Sequence, residues 1–340
     1  MKTITLAIDC MGGDYGPPIS VGAALIALEQ HPHLHLKLFG DQDRIKQELS
    51  RSSINLSQRV TICPTSDVVL MDDKPSVALR SKRDSSMRKA IEAVRDGEAD
   101  ACVSAGNTGA LMALSRFIIK MLPGIDRPAI ITAIPTANGH THMLDLGANI
   151  DCDSETLFQF GIMGSVLASA IHNIPRPTVG LLNIGEEEIK GNDQVKQAAV
   201  LLQSTSHINY IGFIEGNDIF AGKCDVVVTD GFTGNNVLKA SEGVVRLLAS
   251  QLRSVFERNR FYKLVGLMIK PILKTFKDEI DPDKYNGATL IGLKGIVIKS
   301  HGGASITATV NAINEAITEV EKNVPQRIAQ EVENLLIDRS

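Results

Sequence analysis

The chain has 340 residues, of which 44% are hydrophobic and 22% charged, a composition that excludes fibrous and disordered chains and suffices for one large domain or two ordinary ones. Its 35 basic residues against 39 acidic ones give a formal net charge of −4, so no overall field gathers a nucleic-acid backbone and no nucleic-acid partner is expected. Aromatic residues make up 4% and tryptophan is missing, which argues against platforms for stacking bases or sugars.

From Thr3 to Asp9 apolar and polar residues alternate and end on an acid, the pattern of a first strand and not of a secretion signal. A glycine loop over 10–18 follows, and then the apolar-rich Ile19 to Gln30, of helical length. The same order recurs in His35 to Gly40 with a charged helix from Asp41, Ala99 to Ser104 with a helix from Gly109, and Thr141 to Leu146 with a helix from Ser154. Thr178 to Ile184 precedes a helix after Gly191, and Asp225 to Thr229 a helix after Gly234. Strands and helices alternating at these lengths predict an α/β fold in three layers, α/β/α, around a mostly parallel sheet.

No repeat, low-complexity tract or Gly/Ser linker divides the chain, so a single catalytic domain over 1–340 is expected, with an excursion at Arg253 to Lys277. That segment holds Arg253, Arg258, Arg260, Lys263, Lys270, Lys274 and Lys277 against one acid, Glu257. Leu264, Leu267, Met268 and Ile272 recur there at helical spacing, with Gly266 and Pro271 expected to interrupt the helix. The five cysteines, Cys10, Cys63, Cys102, Cys152 and Cys224, are scattered and form no Cys-x-x-Cys pair, which fits reduced thiols in a cytosol. No apolar run is long enough for a membrane span.

The chemistry is expected in the turns that follow the strands. Asp9-Cys10-Met11-Gly12-Gly13-Asp14, Ser104-Ala105-Gly106-Asn107-Thr108-Gly109, Asp145-Leu146-Gly147-Ala148-Asn149, Asn183 through Gly191, Asp230-Gly231-Phe232-Thr233-Gly234-Asn235 and Ser300-His301-Gly302-Gly303 are glycine-bearing and polar. In an open parallel sheet the carboxyl ends of the strands carry the ligand crevice, so all six turns are expected to share one edge. Small residues there allow close backbone approach, and helix N-termini supply amides to an anion. The fingerprints of dinucleotide, nucleotide triphosphate, zinc-hydrolase and nucleophile-elbow sites are missing.

Together these turns resemble the PlsX-type phosphate acyltransferases, with Tyr285-Asn286-Gly287-Ala288 and Lys299-Ser300-His301-Gly302 adding to the match, which spans nearly the whole chain apart from the basic segment. The resemblance implies a fold related to phosphotransacetylases and to isocitrate and isopropylmalate dehydrogenases, and a homodimer. It implies synthesis of acyl phosphate from an acyl-acyl carrier protein thioester and inorganic phosphate, at the start of phospholipid synthesis. It further implies loose attachment to the inner face of the bacterial cell membrane and transfer of product to a PlsY-type membrane glycerol-3-phosphate acyltransferase.

Phosphate is a good nucleophile near neutral pH and a thioester is activated, so the reaction requires no cofactor, metal or covalent side-chain intermediate, and positioning with oxyanion stabilisation supplies most of the acceleration. Lys190 is the leading catalytic candidate, to bind phosphate and neutralise charge; on composition alone it is a surface lysine balancing Glu186, Glu187 and Glu188. Ser104, Asn107, Thr108 and Gly109 offer donors at a helix N-terminus or simply cap it. Asp9, Asp145 and the catalytic candidate Asp230 orient a lysine or asparagine or accept a proton, or else cap the next helix or brace a loop, and Asn149 and Asn235 donate to an oxyanion or serve as turn residues. His301 is a candidate to protonate the departing sulfur, Arg80 to clamp phosphate, and Gly12 and Gly13 to admit it. Cys102 and Cys152 have no histidine near in sequence and read as inert thiols. Arg258, Arg260, Lys263, Leu264, Leu267 and Met268 read as a cationic amphipathic surface for anionic lipid or the acidic carrier protein, or as a solvated face against a dimer partner. A nicotinamide-dependent hydroxy-acid dehydrogenase and a non-catalytic membrane scaffold are the rival readings.

Overall fold

The computed structural model describes residues 3–51, 58–137, 139–272 and 282–339. Lys274 and Lys277 of the basic segment lie outside the described residues.

The first strand, β1 (Ile4–Asp9), buries Ile4, Leu6 and Ile8 on one face and Ala7 on the other, so it needs cover on both sides. Helix α1 (Pro17–Gln30) supplies one cover, and β2 (Leu34–Gly40), α2 (Gln42–Leu49) and β3 (Val60–Pro64) extend the sheet outward. Asp41 starts α2 by accepting from the amides of Asp43 and Arg44. The short α3 (Pro75–Arg80) and α4 (Ser86–Arg95) lead to β4 (Ala101–Ser104) and α5 (Thr108–Ile118), and α4 and α5 cover the face opposite α1 through Met87, Ile91, Leu111 and Leu114.

Chain direction then reverses. Strand β5 (Ala129–Thr136) pairs antiparallel with β6 (Gly139–Leu144), and α6 (Ser154–His172) returns the chain through a second core around Phe158, Phe160 and Leu167. Next come β7 (Thr178–Leu182), α7 (Asp193–Gln203), β8 (Asn209–Ile214), α8 (Gly216–Ala221) and β9 (Val226–Val228). The long α9 (Gly231–Glu257) and α10 (Arg260–Met268) precede β10 (Ala288–Ile291), β11 (Ile296–Lys299), α11 (Ile306–Lys322) and α12 (Val324–Arg339).

One sheet of 11 strands results, in the order β3-β2-β1-β4-β11-β10-β5-β6-β9-β7-β8, with helices on both faces, as the α/β/α expectation required. Strands β1 to β4 and β11 run one way, β10 is antiparallel to both β11 and β5, and β6 turns against β5. Strands β9, β7 and β8 follow β6 in parallel. This corrects the expectation that all six turns meet on one edge: the β5–β6 hairpin sends the carboxyl ends of β6, β7 and β9 to the edge opposite those of β1, β4 and β11. Alternating strands and helices carry no sign of that reversal, because the hairpin is a local event between two apolar runs.

Gly266 does not interrupt the excursion. It sits inside α10, where any side chain would press on the Phe256 ring of α9, and the break falls instead at Arg258 and Asn259. The Asn259 side chain caps α10 by accepting from the Tyr262 amide at 2.8 Å.

Candidate active site

On the first edge, three turns are tied together by one buried carboxylate. Asp9 accepts from the hydroxyls of Ser86 and Ser104, each at 2.6 Å, and from the Met11 amide. Burial pushes its pKa up, and these hydrogen bonds oppose that rise. A Cβ on Gly12 would lie 2.7 Å from both Asp9 Oδ2 and the Gly106 amide nitrogen, and one on Gly13 would lie 2.9 Å from the Gly302 carbonyl. Glycine is needed at both positions for the turns to close on one another, and the Asp14 amide completes the seam by donating to the Gly302 carbonyl at 2.9 Å.

Two donors proposed from sequence are occupied by structure. The Ser104 hydroxyl is buried between Asp9 and the Gly106 amide. The Asn107 carbonyl oxygen caps α5 at the Ala110 amide, while its Nδ2 donates to the carbonyls of Met71 and Asp73. What remains open to an anion is the first turn of α5, where Thr108 and Gly109 are exposed. Arg80 is exposed at the far end of α3 from that turn.

His301 stands beside the Asp9 turn and, with Gly12, Tyr15, Ala105 and Gly302, lines a small recess. Its backbone amide donates to Asn286 Oδ1 at 2.9 Å, and Asn286 Nδ2 donates to the Ser300 hydroxyl and the Ala308 carbonyl. The ring Nδ1 accepts from the Gly303 amide at 3.1 Å, so the hydrogen-bond pattern assigns the ring proton to Nε2. This narrows the role expected for His301. A neutral ring with its proton on Nε2 donates a hydrogen bond to sulfur or oxygen, whereas a cationic ring would set an N–H against the Gly303 N–H. At the end of β11, Lys299 is almost fully buried, its ammonium donating to the Ser300 carbonyl. Burial lowers its pKa to about 8, with Asp9 and Asp14 opposing and Lys239 of α9 adding repulsion.

The second edge has its own buried carboxylate. Asp145 accepts from the amides of Ile130, Gly147, Ala148 and Asn149 and from Asn149 Nδ2, and burial raises its pKa against those bonds. Asn149 also donates to the Pro128 carbonyl, so both residues act as braces. Asp230 caps α9, accepting from the Thr233 amide at 2.7 Å and its hydroxyl at 2.9 Å. A Cβ on Gly234 would fall 2.0 Å from the Asp145 carbonyl oxygen, which fixes how closely α9 meets this turn. Asn235 is exposed beside Gly147. Lys190 pairs with Glu187 at 2.8 Å, which raises its pKa; its side chain is half-buried and that of Glu187 exposed. The sequence candidates therefore separate. Asp9, Gly12, Gly13, Ser104, Asn107, Thr108, Gly109 and His301 gather on one edge, and Asp145, Asn149, Lys190, Asp230 and Asn235 on the other. Helix α9 runs from the second edge toward the first, bringing Lys239 near Lys299.

Residues 4–327 match the family model described as fatty acid synthesis protein. The chain is 55% identical over 335 residues to a phosphate acyltransferase of Alkalilimnicola ehrlichii, covering 98% of each chain. This chain belongs to the fatty acid synthesis protein family. Among solved structures, a phosphotransacetylase from Streptococcus pyogenes aligns with a TM-score of 0.61 at 17% identity over 94% of each chain. A 4-hydroxythreonine-4-phosphate dehydrogenase from Klebsiella pneumoniae aligns with a TM-score of 0.53 at 13% identity over 94% of this chain and 98% of that one. Both likenesses bear on the fold, which is the one the resemblance implied.

Sequence reasoning passed over Lys299 and Asn286, which the structure places on this first edge beside Ser300 and His301. Both stood in the stretches that carried the resemblance, and the available signal was a lysine ending an apolar strand, a position that buries its charge. Cys102 and Cys152 are buried as expected; burial raises the thiol of the first far above its ordinary range and that of the second to about 12, which disfavours the thiolate in both. No helix among the described residues is long and apolar enough to cross a membrane.

Proposed function

We propose that the chain acts as one catalytic unit that transfers an acyl group from an acyl-acyl carrier protein thioester to inorganic phosphate, releasing acyl phosphate for phospholipid synthesis. The observation that carries this reading is the first-edge turn. There, His301, its ring proton on Nε2, lines a recess with Gly12, Gly16 and Gly302, and the exposed start of α5 and the buried Lys299 belong to adjoining turns of the same edge. Hydrogen phosphate held at the α5 amides attacks the thioester carbonyl carbon, a C–O bond forms as the C–S bond breaks, and the phosphate's proton ends on the departing thiol. His301 donates through Nε2 to the developing negative charge, and Lys299 supplies positive potential from behind.

Lys190 and Asp230 belong to the same chemistry in a homodimer, where the second edge of one protomer meets the first edge of the other. Within one protomer the interval is too long for one phosphate, since Asp230 to Lys239 alone is about 13 Å of helix. The outer half of α9 supports a subunit contact, because Val244, Leu247, Leu248, Leu252 and Val255 are exposed. Lys190 there neutralises phosphate charge, and Asp230 and Asn235 position it. The test of function is incubation of the protein with phosphate and a long-chain acyl-carrier thioester, without metal or nucleotide. A hydroxylamine-reactive product that requires phosphate is expected, and its absence overturns the reading.

Beyond α9, exposed Phe261, Leu264, Leu267 and Met268 of α10 accompany Lys263 and the preceding Arg258. This pattern supports peripheral attachment to the inner, anionic face of the cell membrane, near the PlsY-type acyltransferase that consumes the product. Binding to vesicles containing phosphatidylglycerol is expected to fall steeply with added salt and to be lost in Leu264→Ser/Leu267→Ser. Equal binding of wild type and variant in a co-sedimentation assay removes α10 as the contact.

A further inference from the structure

We propose that His140, His142 and His172 form a binding site for one divalent cation of the zinc class, separate from the acyl-transfer site. His140 and His142 stand two residues apart on β6 and so project from one face, and His172 closes α6 against them. Nε2 of His172 lies 2.8 Å from Nε2 of His140 and 2.7 Å from Nε2 of His142. One nitrogen from each ring falls within 4.8 Å of the others, and the ring centroids are 4.1 to 5.7 Å apart.

Hydrogen bonding among the rings does not account for the arrangement. The Nε2 of a neutral His172 offers either one hydrogen or one lone pair, and two ring nitrogens compete for it. His142 is 4% exposed and its Nδ1 has no partner, so the fold draws no other polar contact from a ring it has taken out of water. A leucine there would pack without that cost. Burial and the two neighbouring rings depress the His142 pKa to about 3, and burial with His140 lowers that of His172. The carboxylate of Asp225, held by the Thr178 amide and hydroxyl, acts on His172 with the opposite sign and favours positive charge nearby.

Three imidazoles select zinc, cobalt, nickel or copper over magnesium and calcium, which prefer oxygen. Metal–nitrogen bonds of about 2.0–2.1 Å in a tetrahedral site set neighbouring ligand nitrogens roughly 3.3 Å apart, so His172 must part from each of the other two rings by about half an ångström, and His140 and His142, whose nitrogens lie within 4.8 Å, must settle to the same spacing. His140, which is exposed, and His172, at a helix end, have room to do so. The exposed side leaves a coordination position for water. The site lies at the amino end of β6, a strand's length from Asp145, and its occupant would pin the end of α6 to the sheet.

The test uses the untagged, full-length chain stripped with chelator and titrated with cobalt or zinc. The expected result is one equivalent of cobalt bound, with visible bands of tetrahedral coordination that zinc abolishes and excess magnesium does not. His140→Gln, at an exposed position, is expected to weaken binding at least tenfold, and His172→Gln likewise. Zinc is expected to raise the thermal unfolding midpoint of the wild type and to leave that of His140→Gln unmoved. His142→Leu is expected to abolish binding, and if that chain does not fold, the two other variants decide the question. No saturable binding at one equivalent, or binding undiminished in both His140→Gln and His172→Gln, overturns the proposal.

Discussion

His301→Ala and Lys190→Ala are each expected to lower acyl-phosphate formation by about 10²–10³, the effect of deleting one donor aimed at developing charge in a closed site. His301 is exposed and Lys190 is half-buried beside Glu187, so neither is a core residue whose truncation threatens the fold. The informative measurement is made on mixtures. If one reaction centre is built from His301 of one protomer and Lys190 of the other, co-refolding the two inactive proteins yields mixed dimers with one intact centre and one that lacks both groups. Random pairing makes half the dimers mixed, so activity is expected to return to about a quarter of wild type. Mixing without recovery would return both groups to a single protomer or remove one of them from the chemistry. A steady-state profile adds a second check: His301→Ala is expected to act on kcat, and Lys190→Ala on the KM for phosphate as well.

Stability is expected to fall as pH rises from 5 to 8, and Glu319→Gln is expected to remove part of that fall, the neighbouring Glu315, whose pKa burial also raises, carrying much of the rest. Glu319 on α11 is buried, accepts from the Thr289 hydroxyl of β10, and has Glu315 one turn away. Burial, joined by repulsion from Glu315, pushes its carboxyl well above the usual carboxylate range. A pKa higher in the folded than in the unfolded chain means that the folded state holds the proton more tightly. The resulting stability is fully present below the unfolded value of 4.5 and is lost as pH rises through the folded value. Glutamine keeps an oxygen for Thr289 and carries no charge. Its gain is on the order of 3 kcal/mol at pH 8 and below about 1 kcal/mol at pH 5. Denaturant unfolding at the two pH values reads this directly; equal wild-type stability at both refutes it.

The sequence was most legible where a strand meets a polar turn. Asp9, Ser104, Asp145 and Asp230 do mark strand ends or the residues just after them, and the helices begin within a few residues of the predicted starts because Asp41, Asn107, Asp153 and Asp230 cap them. Local capping chemistry is written in neighbouring residues. The antiparallel β5–β6 hairpin and the insertion of β10 between β11 and β5 were not legible, because strand direction depends on which distant apolar run pairs with which. The same limit hid Lys299. Its burial beside Asp9 comes from the packing of β11 against β4, two strands nearly two hundred residues apart in the chain. The occupied side chains of Ser104, Asn107 and Asn149 likewise depend on partners that sequence spacing does not reveal.

The reversal of the sheet has an electrostatic outcome for the whole molecule. Peptide dipoles add along a helix and leave partial positive charge at its amino end. Helix α5 aims that pole at one rim, whereas α6, α7 and α9, which follow strands of opposite direction, aim theirs at the other. A chain with a net charge of −4 thus carries two separate anion-attracting rims, and dimer contact between unlike rims would merge them into a single, stronger well for phosphate.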